Sequence, residues 1–82
     1  MIIFTKHAKE KFAVLKHHGV KISRQQVLKA VDKPNSTDYS RLPLLIAQRK
    51  IDKTHVLRVV YKKESGTIKI ITFYPGRTKQ YL

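Results

Sequence analysis

The chain has 82 residues, with 18 Lys and Arg against 5 Asp and Glu, for a formal charge of +13. That length suits one compact core, so residues 1–82 are read as a single domain. The charge selects polyanions or acidic proteins as partners, with nucleic acid first. The absence of cysteine excludes disulfides and thiolate metal sites and suits a reducing cytoplasm.

Ile2-Ile3-Phe4 reads as a short strand, followed at once by charge, which is unlike a signal peptide. No apolar run approaches the ~18 residues of a membrane span, so no membrane partner is expected. Thr5 is placed to cap a helix over Lys6–His18, with Ala8, Phe12 and Leu15 on its apolar stripe and Gly19 ending it. Ser23 and Gln26 have the spacing of a capping box, and Ile22 and Val27 that of a hydrophobic staple. A second helix therefore runs from Ser23 until Pro34 stops it. Asn35–Pro43 is polar and rich in turn formers, and reads as a loop.

Three strands follow: Leu44–Lys50, Thr54–Lys62 and Thr67–Tyr74. Asp52-Lys53 forms the first turn, and Lys63-Glu64-Ser65-Gly66 the second. Pro75-Gly76 ends the last strand and leaves a basic, aromatic tail through Tyr81. The expected fold class is α+β, in the order β-α-α-β-β-β, with two helices packed on one face of a small antiparallel sheet.

Side chains alternate along a strand, so the turns sort the sheet into two faces. A two-residue turn at Asp52-Lys53 pairs Arg49 with Val56 and Ala47 with Arg58. An even loop at the second turn then places Ile46, Leu57, Val59, Tyr61, Ile68 and Ile70 under the helices. The open face receives Arg49, Arg58, Lys62 and Lys69, with Ala47, Val56, Val60, Ile71 and Phe73 between them. Such a face suits nucleic acid: cations on a rigid sheet meet phosphate, and Phe73 is available to stack on a base. The plainer alternative is that Lys62 and Lys69 only solvate an exposed surface. Lys79 in the tail joins the expected nucleic-acid-binding set.

The five carboxylates are scattered over caps, loops and turns, and the histidines lack zinc spacing. No metal or cofactor is expected. What remains is metal-free phosphoryl transfer on RNA, in which the 2′-hydroxyl attacks the adjacent phosphate. Arg and Lys stabilise the extra charge, while His or Tyr move protons. Arg49, Arg58, Arg77 and Lys69 suit the first task; His7, His55, Tyr74 and Tyr81 suit the second.

Phe4-Thr5-Lys6-His7-Ala8-Lys9-Glu10-Lys11 resembles the F-x-x-H-A-x-x-R opening of a group of small bacterial domains, with Lys11 in place of the usual Arg. His55–Tyr61 and Ile70–Pro75 resemble that group's paired C-terminal strands. The group looks like a branch of the RelE/ParE-type toxin superfamily, near the BrnT-like toxins. The resemblance implies a RelE-like fold and, in many relatives, an mRNA-cleaving ribonuclease held inactive by an acidic or DNA-binding antitoxin. Some superfamily members inhibit gyrase instead.

The positions that match its active face are Arg49, Arg58, Arg77 and Tyr81. With His7, these form the expected catalytic set. The expected activity is that of a type II toxin, a metal-independent endoribonuclease acting on mRNA in the cytoplasm, on or off the ribosome. The alternative is a non-catalytic basic module of the same fold that binds RNA, DNA or an acidic protein.

Overall fold

Local chemistry sets the two main helices before any packing is considered. In the computed structural model, which describes residues 1–81, helix α1 covers Lys6–His17 and α2 covers Arg24–Asp32. Thr5 Oγ1 accepts from the Ala8 amide at 3.2 Å, and Gly19 takes a left-handed φ of 81° just past the end of α1. The capping box at Ser23 closes in both directions, at 3.1 and 2.8 Å. Val27 and Ala30 then point inward, fully buried.

The strands are β1 (Ile2–Phe4), β2 (Ser36–Asp38), β3 (Leu45–Lys50), β4 (His55–Glu64) and β5 (Thr67–Arg77), with a one-turn helix α3 over Thr78–Tyr81. They form one sheet in the order β1-β5-β4-β3-β2. The fold is α+β as expected, but the sheet has five strands and is mixed. β1 lies parallel to β5, because the chain crosses the whole domain between them. The segment expected as a loop contributes β2, paired antiparallel to β3 from Ser36↔Gln48 to Asp38↔Ile46. β5 continues through Pro75-Gly76, where it was expected to stop. β1 pairs only with Ile68–Ile70, so β5 is an edge at Pro75, and an edge tolerates proline.

Two local features reset the register. The β3–β4 connection is closed by the Ile51 amide donating to the His55 carbonyl at 3.1 Å, which leaves three residues in the turn. Asp52 Oδ1 organises it, accepting from the Thr54 amide at 2.8 Å and the His55 amide at 2.7 Å. Gln48 therefore faces Arg58, and Arg49 faces Leu57. The expected Arg49–Val56 and Ala47–Arg58 pairs are each one residue out.

The β4–β5 turn is a two-residue type I′ turn, with Ser65 at φ 47° and Gly66 at φ 79°, which keeps Lys62 opposite Lys69 as expected. A bulge then intervenes. Tyr61 pairs with Ile70 but Val60 pairs with Thr72, so Ile71 is an extra residue in β5. Beyond it every β5 side chain changes face. Phe73 enters the core and Tyr74 faces outward.

The core lies between the sheet and helices α1 and α2: Phe4, Ala8, Val27, Ala30, Leu45, Ala47, Leu57, Val59, Tyr61, Ile70 and Phe73. Phe12 bridges two aromatics, with its ring centroid 5.8 Å from Phe4 and 4.6 Å from Phe73. Ile46 was expected in this layer and instead lies on the opposite face; Ala47 and Phe73 made the reverse exchange. α3 folds back over the face that α1 and α2 leave open.

The placement of Phe73 is directly measurable. Phe73→Ala is expected to cost about 3–5 kcal/mol in denaturant unfolding, as a buried aromatic truncation does. A loss within about 0.5 kcal/mol would put the ring on the surface.

Candidate functional site

Arg58 comes up at the centre of the open face because it sits in the middle strand, β4, between β3 and β5. Its neighbours across the ladders are Gln48 and Tyr74, and each bonds it. Arg58 Nε donates to the Tyr74 hydroxyl at 3.1 Å and Nη1 donates to Gln48 Oε1 at 2.5 Å. Nη2 stands 3.8 Å from Asp38 Oδ2, at the end of β2. The Tyr81 ring covers the guanidinium, with its centroid 4.2 Å from Cζ. The side chain is only 12% exposed. A cation removed from water to that degree needs such partners.

Each partner is itself held. Gln48 is 3% exposed, and its Nε2 donates to the Tyr81 carbonyl at 3.3 Å while its oxygen serves Arg58. Asp38 Oδ1 accepts from the Ser40 hydroxyl at 2.6 Å and from the Ser40 amide at 2.8 Å. These two bonds, side chain first, hold the Asp38 carboxyl below its usual range, and the charges of Arg58 and Arg41 add to the effect. Tyr81 reaches the sheet because Gly76 has no side chain: a Cβ there would collide with Tyr81 Cε2 and lie 2.8 Å from Cδ2.

The result is a cleft of about 320 Å³ lined by Asp38, Arg41, Leu44, Ile46, Arg58, Val60, Tyr74 and Tyr81. It offers two guanidinium groups for an anion, an ionised carboxylate that can take a proton, and two phenols. Because Tyr74 accepts from Arg58, its own O–H proton is free to be donated. An aromatic plane lies over the charge.

The other expected site residues are distributed elsewhere. Arg49 is on the helix side of the sheet, where Nη1 donates to the Lys33 carbonyl at 2.6 Å and so satisfies the C-terminal cap of α2. The three-residue turn put it there. Phe73 is buried in the core and cannot stack on a ligand. Lys62 and Lys69 do face outward, but both pair with Glu64, at 2.7 and 3.0 Å. The hydrogen bonds from Lys62 and Lys69, with their charge adding to the effect, hold the Glu64 carboxyl below its usual range.

His7 is exposed in the first turn of α1, which packs on the far side of the sheet. His55 is tied into the β3–β4 turn, with Nδ1 2.8 Å from Thr54 Oγ1 and 3.1 Å from Asp52 Oδ1. Arg77 and Lys79 are exposed beside a different cleft, at the end of the β4–β5 ladder. Of the expected catalytic set, only Arg58 and Tyr81 meet.

Asp38, Arg41 and Gln48 were not singled out from the sequence, and Tyr74 was considered only as a proton carrier. The one local signal was Asp38-Tyr39-Ser40, since an Asp two residues before a Ser forms an Asx turn. Gln48 and Tyr74 become legible only once the turn and the bulge are known. Among the described residues, no group of three or more His, Asp or Glu side chains gathers where a metal could be held. No helix there is long and apolar enough to cross a membrane.

Comparison of the chain with protein-family models, with curated proteins and with solved structures finds no match. The class that fold and site define is thus a strongly basic α+β domain with an arginine-centred cleft on its open sheet face.

Two outcomes follow from this geometry. In Gly76→Ala, the Tyr81 ring is expected to leave the guanidinium. The ring-current shift that Tyr81 imposes on the Arg58 side-chain resonances should disappear from NMR spectra while the core resonances stay in place. The Asp38 carboxyl should titrate below 3.8, the ordinary value. Its contribution to stability is complete above the unfolded-state pKa and is lost as pH falls through the lower folded one. Carboxyl chemical shifts followed from neutral to acid pH check this, and a midpoint above 3.8 would mean that the Ser40 bonds do not form.

Proposed function

We propose that this protein is a metal-independent endoribonuclease of the toxin type, with a RelE-like arrangement of its helices and sheet. The observation that carries this reading is the convergence of Arg58, Asp38, Tyr74 and Tyr81 on one cleft of a chain with charge +13. A phosphodiester seated against Arg58 and Arg41 places its negative oxygens on the two guanidinium groups. The Asp38 carboxylate, a base weakened by its Ser40 bonds, takes the proton of the ribose 2′-hydroxyl, whose oxygen bonds to phosphorus. The phosphorane's added charge is met by Arg58, a cation already oriented and largely out of water. The P–O5′ bond then breaks, with a proton from the Tyr74 or Tyr81 hydroxyl going to the leaving oxygen. The products are a 2′,3′-cyclic phosphate and a free 5′-hydroxyl.

On this reading the protein acts on mRNA in the cytoplasm, on or off the ribosome. An acidic or DNA-binding antitoxin covers the same face and offsets its charge.

A second reading has its own support. All three nitrogens of the Arg58 guanidinium already have protein groups beside them, and no histidine lies in the cleft. That arrangement also suits a module that binds RNA, DNA or an acidic protein without cutting anything.

Purified protein incubated with RNA in excess chelator separates the two. Cleavage ending in cyclic phosphate, abolished by 2′-O-methylation at the cut, is expected. Arg58→Ala should slow it about 10²–10³-fold, as loss of one charge-stabilising donor does. RNA that is bound but left whole by the wild type, both free and on translating ribosomes, would leave only the binding module.

A further inference from the structure

A second cleft, of about 520 Å³, lies outside the Arg58 site and is lined by Lys53, Thr54, Arg77, Thr78 and Lys79. Its chemistry differs from that of the first. Among the described residues three cations line it and no carboxylate does. Lys53, Arg77 and Lys79 are exposed, and none forms an ion pair with a described residue. The nearest acid in sequence, Asp52, is committed to Thr54 and His55. Lys62 and Lys69, by contrast, share Glu64. The charge at this end of the sheet is therefore uncompensated among the described residues, and like charges held this close repel one another until an anion arrives.

The position is as informative as the charge. Arg77 pairs with His55 at the start of β4, three residues before Arg58. At about 3.4 Å per strand residue the two clefts are separated by roughly 10 Å. Helix α3 stands between the clefts: Thr78 and Lys79 line the cationic one, and Tyr81 lies over Arg58 in the other. The segment is anchored at its start by the Thr78 amide donating to the Thr54 carbonyl at 2.8 Å. Both clefts thus border the same short helix.

We infer that the Lys53–Arg77–Lys79 cleft is a second phosphodiester subsite, which holds the backbone of a single strand roughly 10 Å along the sheet from the phosphate at Arg58. The inference rests on the RNA reading of the Arg58 cleft, but it concerns binding and not cleavage. The cleft contacts phosphate without reading bases, so it sets the register and minimum length of the strand and leaves sequence preference to the Arg58 end.

The test measures binding of 2′-O-methylated oligonucleotides, which cannot be cut, by fluorescence anisotropy over a range of salt. The variant combines Lys53→Gln, Arg77→Gln and Lys79→Gln. A control combines Lys6→Gln, Lys9→Gln and Lys16→Gln, which removes as much charge from exposed positions of α1. With an octanucleotide, the cleft variant should lower the slope of log K against log salt by about 2, at about 0.7 for each of three lost contacts. The control should keep the wild-type slope, and a dinucleotide seated at Arg58 should bind the wild type and the cleft variant alike.

An unchanged octanucleotide slope in the cleft variant overturns the inference, as does an equal loss in the control, which would reduce the effect to net charge. Equal losses for dinucleotide and octanucleotide overturn it too, because the cleft would then not be a separate subsite. If the wild type binds no RNA at all, the function proposed for the Arg58 cleft fails first and this inference with it. In the other failures that function is untouched.

Discussion

One extra residue in β5 decides what both faces of this sheet contain. Ile71 sits between the Tyr61↔Ile70 and Val60↔Thr72 pairs, and because strand side chains alternate strictly, that insertion exchanges the two faces for the rest of β5. Phe73 becomes the fully buried aromatic that stacks against Phe12. Tyr74 becomes the hydroxyl that accepts from Arg58. Gly76 becomes the bare stretch of backbone on which Tyr81 rests. Moving Phe73 back to the open face would expose a large apolar ring, cost the core its centre and remove the Arg58 partner at the same time. Core and site are therefore products of the same irregularity.

The charge of this protein is spread along the sequence but used unevenly in space. Arg24 lies 4.4 Å over the Phe4 ring, and Arg49 caps a helix end. Lys62 and Lys69 share one glutamate. Arg58 is nearly buried under Tyr81. These cations are structural or already partnered, whereas those at Lys53, Arg77 and Lys79 have no counter-charge among the described residues. For an approaching polyanion the two clefts then play unlike parts. One offers solvent-exposed charge, without a counter-charge among the described residues, that attracts from a distance. The other offers an arginine whose orientation is set beforehand by Gln48, Tyr74 and Asp38, which is the arrangement that helps most where charge must be met at short range.

Much of the architecture was legible from local chemistry. The capping box at Ser23 and the apolar stripes of α1 and α2 act within a few residues of themselves and form as read, while the Gly66 turn forms with two residues instead of four, since Lys63 and Glu64 extend β4. The β2 strand was not legible, since Ser36–Asp38 is short and polar and is a strand only because β3 lies beside it. Arg58 was the site residue most readable in advance: an arginine between apolar neighbours in a central strand must face away from the core. Arg49, flanked by Gln48 and Lys50, was read onto the same face and went to the other side. The difference lay in whether two or three residues close the turn at Asp52, and the Asp52 side chain decided for three.

Sequence by itself determined the α+β class, the two helices with their ends, the three long strands and the excess of positive charge. Each of these follows from residue type and short-range spacing. Tertiary structure alone decided which of two adjacent residues faces which way, through the three-residue turn and the Ile71 bulge. It also brought Asp38, Gln48, Tyr74 and Tyr81 around Arg58 from four separate segments. The physical reason is that side-chain parity in a sheet is a property of pairing between strands. A one-residue slip costs little locally and changes every contact beyond it, so the hairpin from Thr54 to Tyr74 could be found from its residues, but what its outer face presents could not.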